Sequence, residues 1–215
     1  VGRMLLKASA ESNLKRVYLE LGGKSPNIVF DDAPDLAQAA KVSAMGIFRN
    51  SGQVCVAGSR LLVQRSVHDE FVERLQNIAA SLRVGDPLDV TMDIGAVSSA
   101  RQLARNQSML ARALEQGARL RTGGQVIAPV PGGQYMSPAV LDAVQPDMDI
   151  ARQEVFGPVL AVMPFDDEAQ AVRLANGTEY GLAAGVWTGS LSRAHRMVRA
   201  IKAGLVHVNT YGGPD

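Results

Sequence analysis

One cysteine, Cys55, is all that the 215 residues contain. A lone thiol cannot close an internal disulfide, so nothing in the chain argues for an oxidising compartment. Long apolar runs are also missing: none approaches the roughly 20 residues a membrane helix needs, and the N-terminus lacks the pattern of a signal peptide. There is no excess of either charge. Lys plus Arg number 22 and Asp plus Glu 21, leaving +1 and no basic field to draw in nucleic acid. The one crowded basic run, Arg193 to Lys202, alternates with apolar residues as one solvated helix face does. Histidine is scarce too. His68, His195 and His207 share no ligand spacing and Cys55 has no cysteine partner, so no metal site is expected. Neither a G-x-G-x-x-G turn nor a phosphate-binding P-loop occurs, and the chain carries no dinucleotide fingerprint of its own. What remains is the composition of a soluble, cytoplasmic globular protein, with 47% hydrophobic and 20% charged residues.

Strands and helices alternate along the chain. Helical patterns are expected over Val1 to Glu11, from a cap at Asp31 or Asp32 to Arg49 with Pro34 in the first turn, Val67 to Leu82, Ser99 to Gln116, Asp167 to Asn176 and Ser192 to Lys202. Strands are expected at Val17 to Leu21, Asn27 to Phe30, Arg60 to Gln64, Arg119 to Arg121, Ala139 to Ala143, Val159 to Phe165, Ala184 to Trp187 and Leu205 to Val208. This order predicts an α/β fold with a largely parallel sheet flanked by helices. No repeat or low-complexity segment interrupts it, and no hinge divides residues 21 to 215. Both ends read as cut: Val1 lies inside a helix, and the chain stops in the loop-like Gly212-Gly213-Pro214-Asp215.

Three short segments carry candidate chemistry. Gly52, Gln53, Ala57, Gly58 and Ser59 surround Cys55 with small or polar residues, which suits an exposed sulfur able to attack a carbonyl carbon. A buried cysteine acting as a small hydrophobe is the plain alternative. Glu20, followed by Gly22-Gly23, can project from a strand end into a cleft and take a proton from water or thiol; otherwise it is an exposed charge or a partner for Lys24. Glu154 precedes the turn Gly157-Pro158. Its carboxylate can accept hydrogen bonds from two ribose hydroxyls while Phe156 packs beside a flat heterocycle, although a surface glutamate there is common.

Together these segments resemble the NAD(P)-dependent aldehyde dehydrogenase superfamily. The resemblance is collinear and rests on Leu19-Glu20-Leu21-Gly22-Gly23-Lys24-Ser25-Pro26-Asn27, on Asn50 to Arg60 around Gly52-Gln53-Val54-Cys55, and on Gln153-Glu154-Val155-Phe156-Gly157-Pro158-Val159. Asn176 to Ala184 adds a weaker match. The resemblance implies that Cys55 is the nucleophile that forms a thiohemiacetal and then a thioester, and that Glu20 activates the water that hydrolyses it. It implies that Glu154 and Phe156 hold NAD or NADP, with Leu21 and Gly22 at the nicotinamide, and that the Cys55 backbone N–H is an oxyanion donor. Residues 1–20 would end a dinucleotide-binding domain and residues 21–215 would form a C-terminally incomplete catalytic domain, a fragment inactive by itself. The full-length protein would be a homodimer or homotetramer acting on a small aldehyde. Asn209 to Asp215 faintly resembles members that oxidise aminoaldehydes. Relatives that pass the acyl group to coenzyme A typically lack a base at the Glu20 position, so hydrolysis is favoured. A cysteine-dependent ester or thioester hydrolase would leave the Glu154 segment unexplained; a non-catalytic relative would leave all three residues unexplained.

Overall fold

A computed structural model describes residues 1–212; Gly213, Pro214 and Asp215, the tail of the segment with the faint aminoaldehyde resemblance, lie outside the described residues. In chain order the elements are α1 (Gly2–Ala10), β1 (Pro26–Val29), α2 (Leu36–Phe48), β2 (Arg60–Gln64), α3 (His68–Ser81), α4 (Ala100–Glu115), β3 (Arg119–Thr122), β4 (Val126–Ile127), β5 (Tyr135–Met136), β6 (Ala139–Asp142), α5 (Asp149–Arg152), β7 (Val159–Phe165), α6 (Glu168–Ala175), β8 (Ala183–Trp187), α7 (Leu191–Ala200) and β9 (Leu205–Val208). Seven strands form one sheet in the order β3-β6-β7-β2-β1-β8-β9, and only the β3–β6 pairing is antiparallel. The α/β architecture with a largely parallel sheet is therefore as the sequence indicates.

The sheet is covered on both faces, which is why its strands read as near-continuous apolar runs. Alternate residues of each strand feed separate cores. Ile28, Leu62, Leu141, Ala161 and Met163 pack with α4, α6 and α7 on one side, joined by Leu103, Leu110, Ala171 and Met197. Val29, Leu61, Val63, Val140 and Leu160 pack with α2 and α3 on the other, joined by Ala40, Ile47, Phe71 and Leu75. The period of two along each strand thus decides which helices it touches. No residue from 1–20 belongs to either core.

Several details differ from the sequence reading. Val17 to Leu21 is not a strand: the segment pairs with no neighbouring strand among the described residues, and Tyr18 is 82% exposed. Alternation alone does not make a strand without an edge to pair with. Helix α2 is capped by Asp35, whose carboxylate accepts from the Gln38 N–H at 2.9 Å, not by Asp31 or Asp32. Pro34 accordingly precedes the cap rather than occupying the first turn. The small hairpin of β4 and β5, closed over Pro129 to Gly133, and the single turn of α5 are too short to leave a periodic signal.

Candidate functional site

The three chemical segments enter the sheet side by side. Glu20 lies a few residues ahead of β1, Cys55 ahead of β2 and Glu154 ahead of β7, and these strands are neighbours in parallel register, Pro26 opposite Arg60 and Arg60 opposite Ala161. All three segments therefore meet at the amino ends of adjacent strands. There they line one cleft of about 860 Å³, together with Leu21, Gly22 and Phe156. The six candidate site residues, Glu20, Leu21, Gly22, Cys55, Glu154 and Phe156, all line this cavity.

Gly22 and Gly23 join the segments because they lack side chains. The Gly23 N–H donates to Glu154 Oε1 at 2.9 Å. A Cβ at Gly22 would collide with the Glu154 carboxylate, and one at Gly23 with the carbonyl oxygen of Cys55. The glycine pair is thus a spacer that sets thiol, carboxylate and the Glu20 segment at fixed relative positions. Glu20 is exposed and reaches the cleft from an extended segment instead of a strand end. It does not pair with Lys24, whose side chain points inward and is 1% exposed.

Cys55 is half-buried and free, at the end of an unusual turn. Asn50, Ser51 and Gly52 occupy the left-handed region in succession, at φ 53°, 55° and 69°. For Ser51 this costs on the order of 1–3 kcal/mol and needs outside support. The support is a set of hydrogen bonds to the 95–98 loop: Ser51 Oγ donates to the Gly95 carbonyl at 2.7 Å, and Gln53 Oε1 accepts from the Ser98 N–H at 2.8 Å. Asn50 Nδ2 also closes the turn onto the Gln53 carbonyl at 3.0 Å. Gly52 is indispensable in another way, since any side chain there would strike the Gly157 carbonyl. The Cys55 N–H donates to no acceptor among the described residues.

The Glu154 segment is braced by α4. Phe156 is also left-handed, φ 57°, and is 37% exposed. Gln102 Nε2 donates to the carbonyls of Val155 and Phe156 at 2.8 and 3.1 Å, and Arg105 Nη2 to the Glu154 carbonyl at 3.0 Å. Gln102 and Arg105 line the same cleft and escaped the sequence reading. Polar residues at helical spacing on α4 look like any solvated face, and nothing local marks the strained turn they hold.

Behind the cleft lie two buried cations. Arg60 spreads its guanidinium over three carbonyls, those of Lys24 at 2.9 Å, Leu174 at 2.7 Å and Ala175 at 2.7 Å, tying β1 to the last turn of α6. Burial lowers its pKa to about 10. Lys24 Nζ has no hydrogen-bond partner among the described residues. Burial first, then the positive Arg60, push its pKa down to about 7, against the partial pull of the Glu154 carboxylate. Unfolded, the same lysine titrates near 10.5. Between about pH 7 and 10.5 the unfolded chain therefore holds a proton that the folded chain does not, and stability rises with pH across this window by roughly 1.4 kcal/mol per unit. Lys24→Met is expected to be more stable than the parent at pH 7 and to lose this slope. Urea unfolding at pH 7 and 9.5 checks it; equal slopes in both proteins refute it.

The histidines sit elsewhere. His68 Nε2 lies 3.2 Å from Asp142 Oδ1, linking α3 to β6, and the His207 ring tilts against Tyr211. No helix among the described residues is long and apolar enough to cross a membrane.

Comparison with known proteins places this geometry. A sequence profile of the aldehyde dehydrogenase family matches residues 1–215. The NADP/NAD-dependent aldehyde dehydrogenase PuuC of Escherichia coli (strain K12) is 45% identical over 217 residues, covering 100% of this chain and 42% of the relative. A betaine aldehyde dehydrogenase of Sinorhizobium fredii is 46% identical over 205 residues, 95% of this chain and 42% of its own length. Among solved structures, an indole-3-acetaldehyde dehydrogenase crystallised with NAD+ superposes with a TM-score of 0.94 at 48% identity, covering 99% of this chain and 43% of that one. The aldehyde dehydrogenase KauB of Pseudomonas aeruginosa gives 0.94 at 47% identity, with 99% and 43% covered. The chain thus spans less than half the length of these relatives. With its α/β sheet, its three motifs in order and matches along its whole length, this chain belongs to the aldehyde dehydrogenase family.

Proposed function

We propose that the whole protein oxidises an aldehyde to a carboxylic acid with NAD or NADP as hydride acceptor. The observation that carries this reading is the convergence of Cys55, Glu20 and Glu154 on one cleft at the amino ends of three adjacent strands. Cys55, as thiolate, attacks the aldehyde carbon to give a thiohemiacetal, and the Cys55 N–H donates to the oxygen that gains charge. The nicotinamide, when bound, supplies the acceptor for the hydride that leaves this carbon. Cys55 is then acylated as a thioester. Glu20, exposed and without a hydrogen-bond partner among the described residues, takes a proton from water as that water attacks the thioester; the acid departs and the thiol is restored.

The residues on the cofactor side fit such a group. Glu154 commits one carboxylate oxygen to the Gly23 N–H, leaving the other for a ribose hydroxyl. Gly22 has no side chain to obstruct a flat ring, Leu21 is 52% exposed beside it, and the Phe156 ring stands at the cleft edge. Residues 1–20, outside both cores, belong in this reading to the cofactor domain, and residues 21–215 to the catalytic domain. A cytoplasmic homodimer or homotetramer is part of the same proposal, the location supported by the single free thiol.

The test is the assay of the whole protein with a panel of aldehydes and either nicotinamide cofactor. Reduced cofactor and carboxylic acid should form in equal amounts. Ester cleavage that needs no nicotinamide, with no aldehyde oxidised, would instead establish a cysteine hydrolase.

A further inference from the structure

Next to the Cys55 cleft lies a second cavity of about 790 Å³, and Asn50 and Val54 line both. This groove has a defined floor. Helix α2 turns its small and apolar face, Ala40, Ala44 and Ile47, into the core, and the opposite stripe faces the groove. Lys41, Met45 and the C-cap residue Arg49, spaced four apart on that side, line the groove, as does Val42, which also packs against the core. The far wall is Tyr211. Its ring lies against Gly46 and Gly58, where an added Cβ would come within 2.8 and 3.0 Å, and its hydroxyl donates to the Val56 carbonyl at 2.8 Å.

The charge of this groove is one-sided. Lys41 and Arg49 both line it, both are exposed, and no Asp or Glu among the described residues lines it. Neither cation has a carboxylate partner among the described residues, whereas Arg65, Arg74, Arg83, Arg112, Arg193 and Arg196 each do. A cation at a helix C-terminus is favourable in itself, which accounts for Arg49. It does not account for Lys41, in the middle of α2. Between the two cations lie Val42 and Met45, an apolar stretch that suits methylene groups. Lys41 is roughly 12 Å farther along the helix axis than Arg49, the residue nearer the thiol turn.

We propose that this groove receives the tail of the aldehyde and selects an aliphatic aldehyde bearing a carboxylate at its far end. The proposal rests on the dehydrogenase reading and specifies its substrate class. Short tails bring the carboxylate to Arg49 and longer ones to Lys41, while the methylenes pack on Val42, Met45 and Tyr211. A protonated aminoaldehyde, the substrate suggested faintly by residues 209–215, would meet two like charges.

The test compares kcat/KM of the whole protein for three aldehydes of equal chain length: a plain alkanal, an ω-carboxyalkanal and an ω-aminoalkanal. The expected order is carboxylated, then uncharged, then aminated. In Lys41→Met and Arg49→Met the ratio of carboxylated to uncharged substrate should fall roughly tenfold, the scale of one lost charge-assisted hydrogen bond. In Arg49→Glu the preference should move toward the aminated aldehyde. Both positions are exposed, so circular dichroism and melting should match the parent. Sodium chloride at about 0.5 M should shrink the parent's preference, as befits charges open to solvent. Equal kcat/KM for carboxylated and uncharged aldehydes, or ratios indifferent to all three substitutions, overturns the substrate class while leaving aldehyde oxidation intact. Failure to oxidise any of the three removes the dehydrogenase reading, and this inference with it.

Discussion

Cys55→Ala is expected to abolish the aldehyde-dependent rise of reduced nicotinamide in the whole protein, by about 10⁴-fold or more, the scale on which removing a covalent nucleophile acts. The physical reason is that hydride departure requires the tetrahedral carbon that only the sulfur creates. Alanine keeps the left-handed turn at Asn50 to Gly52 and its bonds to the 95–98 loop, since none of these uses the thiol. The variant should therefore melt within a few degrees of the parent and still bind cofactor. Stopped-flow absorbance of reduced cofactor is the readout, and it should lack even a first turnover. Survival of more than about one part in a hundred of the parent rate would show that the sulfur is not the attacking atom.

Glu20→Gln separates the two halves of the reaction. The side chain is exposed and makes no hydrogen bond among the described residues, so the amide introduces no buried defect. The first turnover should proceed, giving a burst of reduced cofactor close to one per site. Steady turnover should then fall by roughly 10²–10⁴-fold, because water attacking the thioester has lost its base. Hydroxylamine, a nucleophile that needs no such base, should restore turnover and yield the hydroxamate. A merely structural Glu20 would give neither the burst nor the rescue. Loss of the burst itself would move Glu20 out of the hydrolytic step.

The motifs around Glu20, Cys55 and Glu154 were legible because each combines a reactive side chain with glycines that the backbone geometry requires, and such combinations leave a local trace. Their convergence was not. It follows from strand order, β1 beside β2 beside β7, which pairing across long sequence separations decides. Arg60 to Gln64 and Val159 to Phe165 were readable to the residue as buried apolar strands. Val17 to Leu21 differs because its alternation implies an edge to pair with, and the described residues offer none. Gln102, Arg105 and the 95–98 loop were invisible for a different reason: they act by hydrogen bonds between a side chain and the backbone, which impose no particular pattern on the surrounding sequence. A Glu20–Lys24 pair was one alternative the sequence left open, and the chain closes it by burying Lys24 beside Arg60.

Helix α2 separates two kinds of evolutionary constraint. Its inward stripe, Ala40, Ala44 and Ile47, is held by packing and can change little. Its outward positions 41 and 45, with Arg49 at the C-cap, line the neighbouring cavity and take no part in that packing. If the proposed substrate class holds, a change in the preferred aldehyde needs substitutions on one side of a single helix and leaves its buried side untouched.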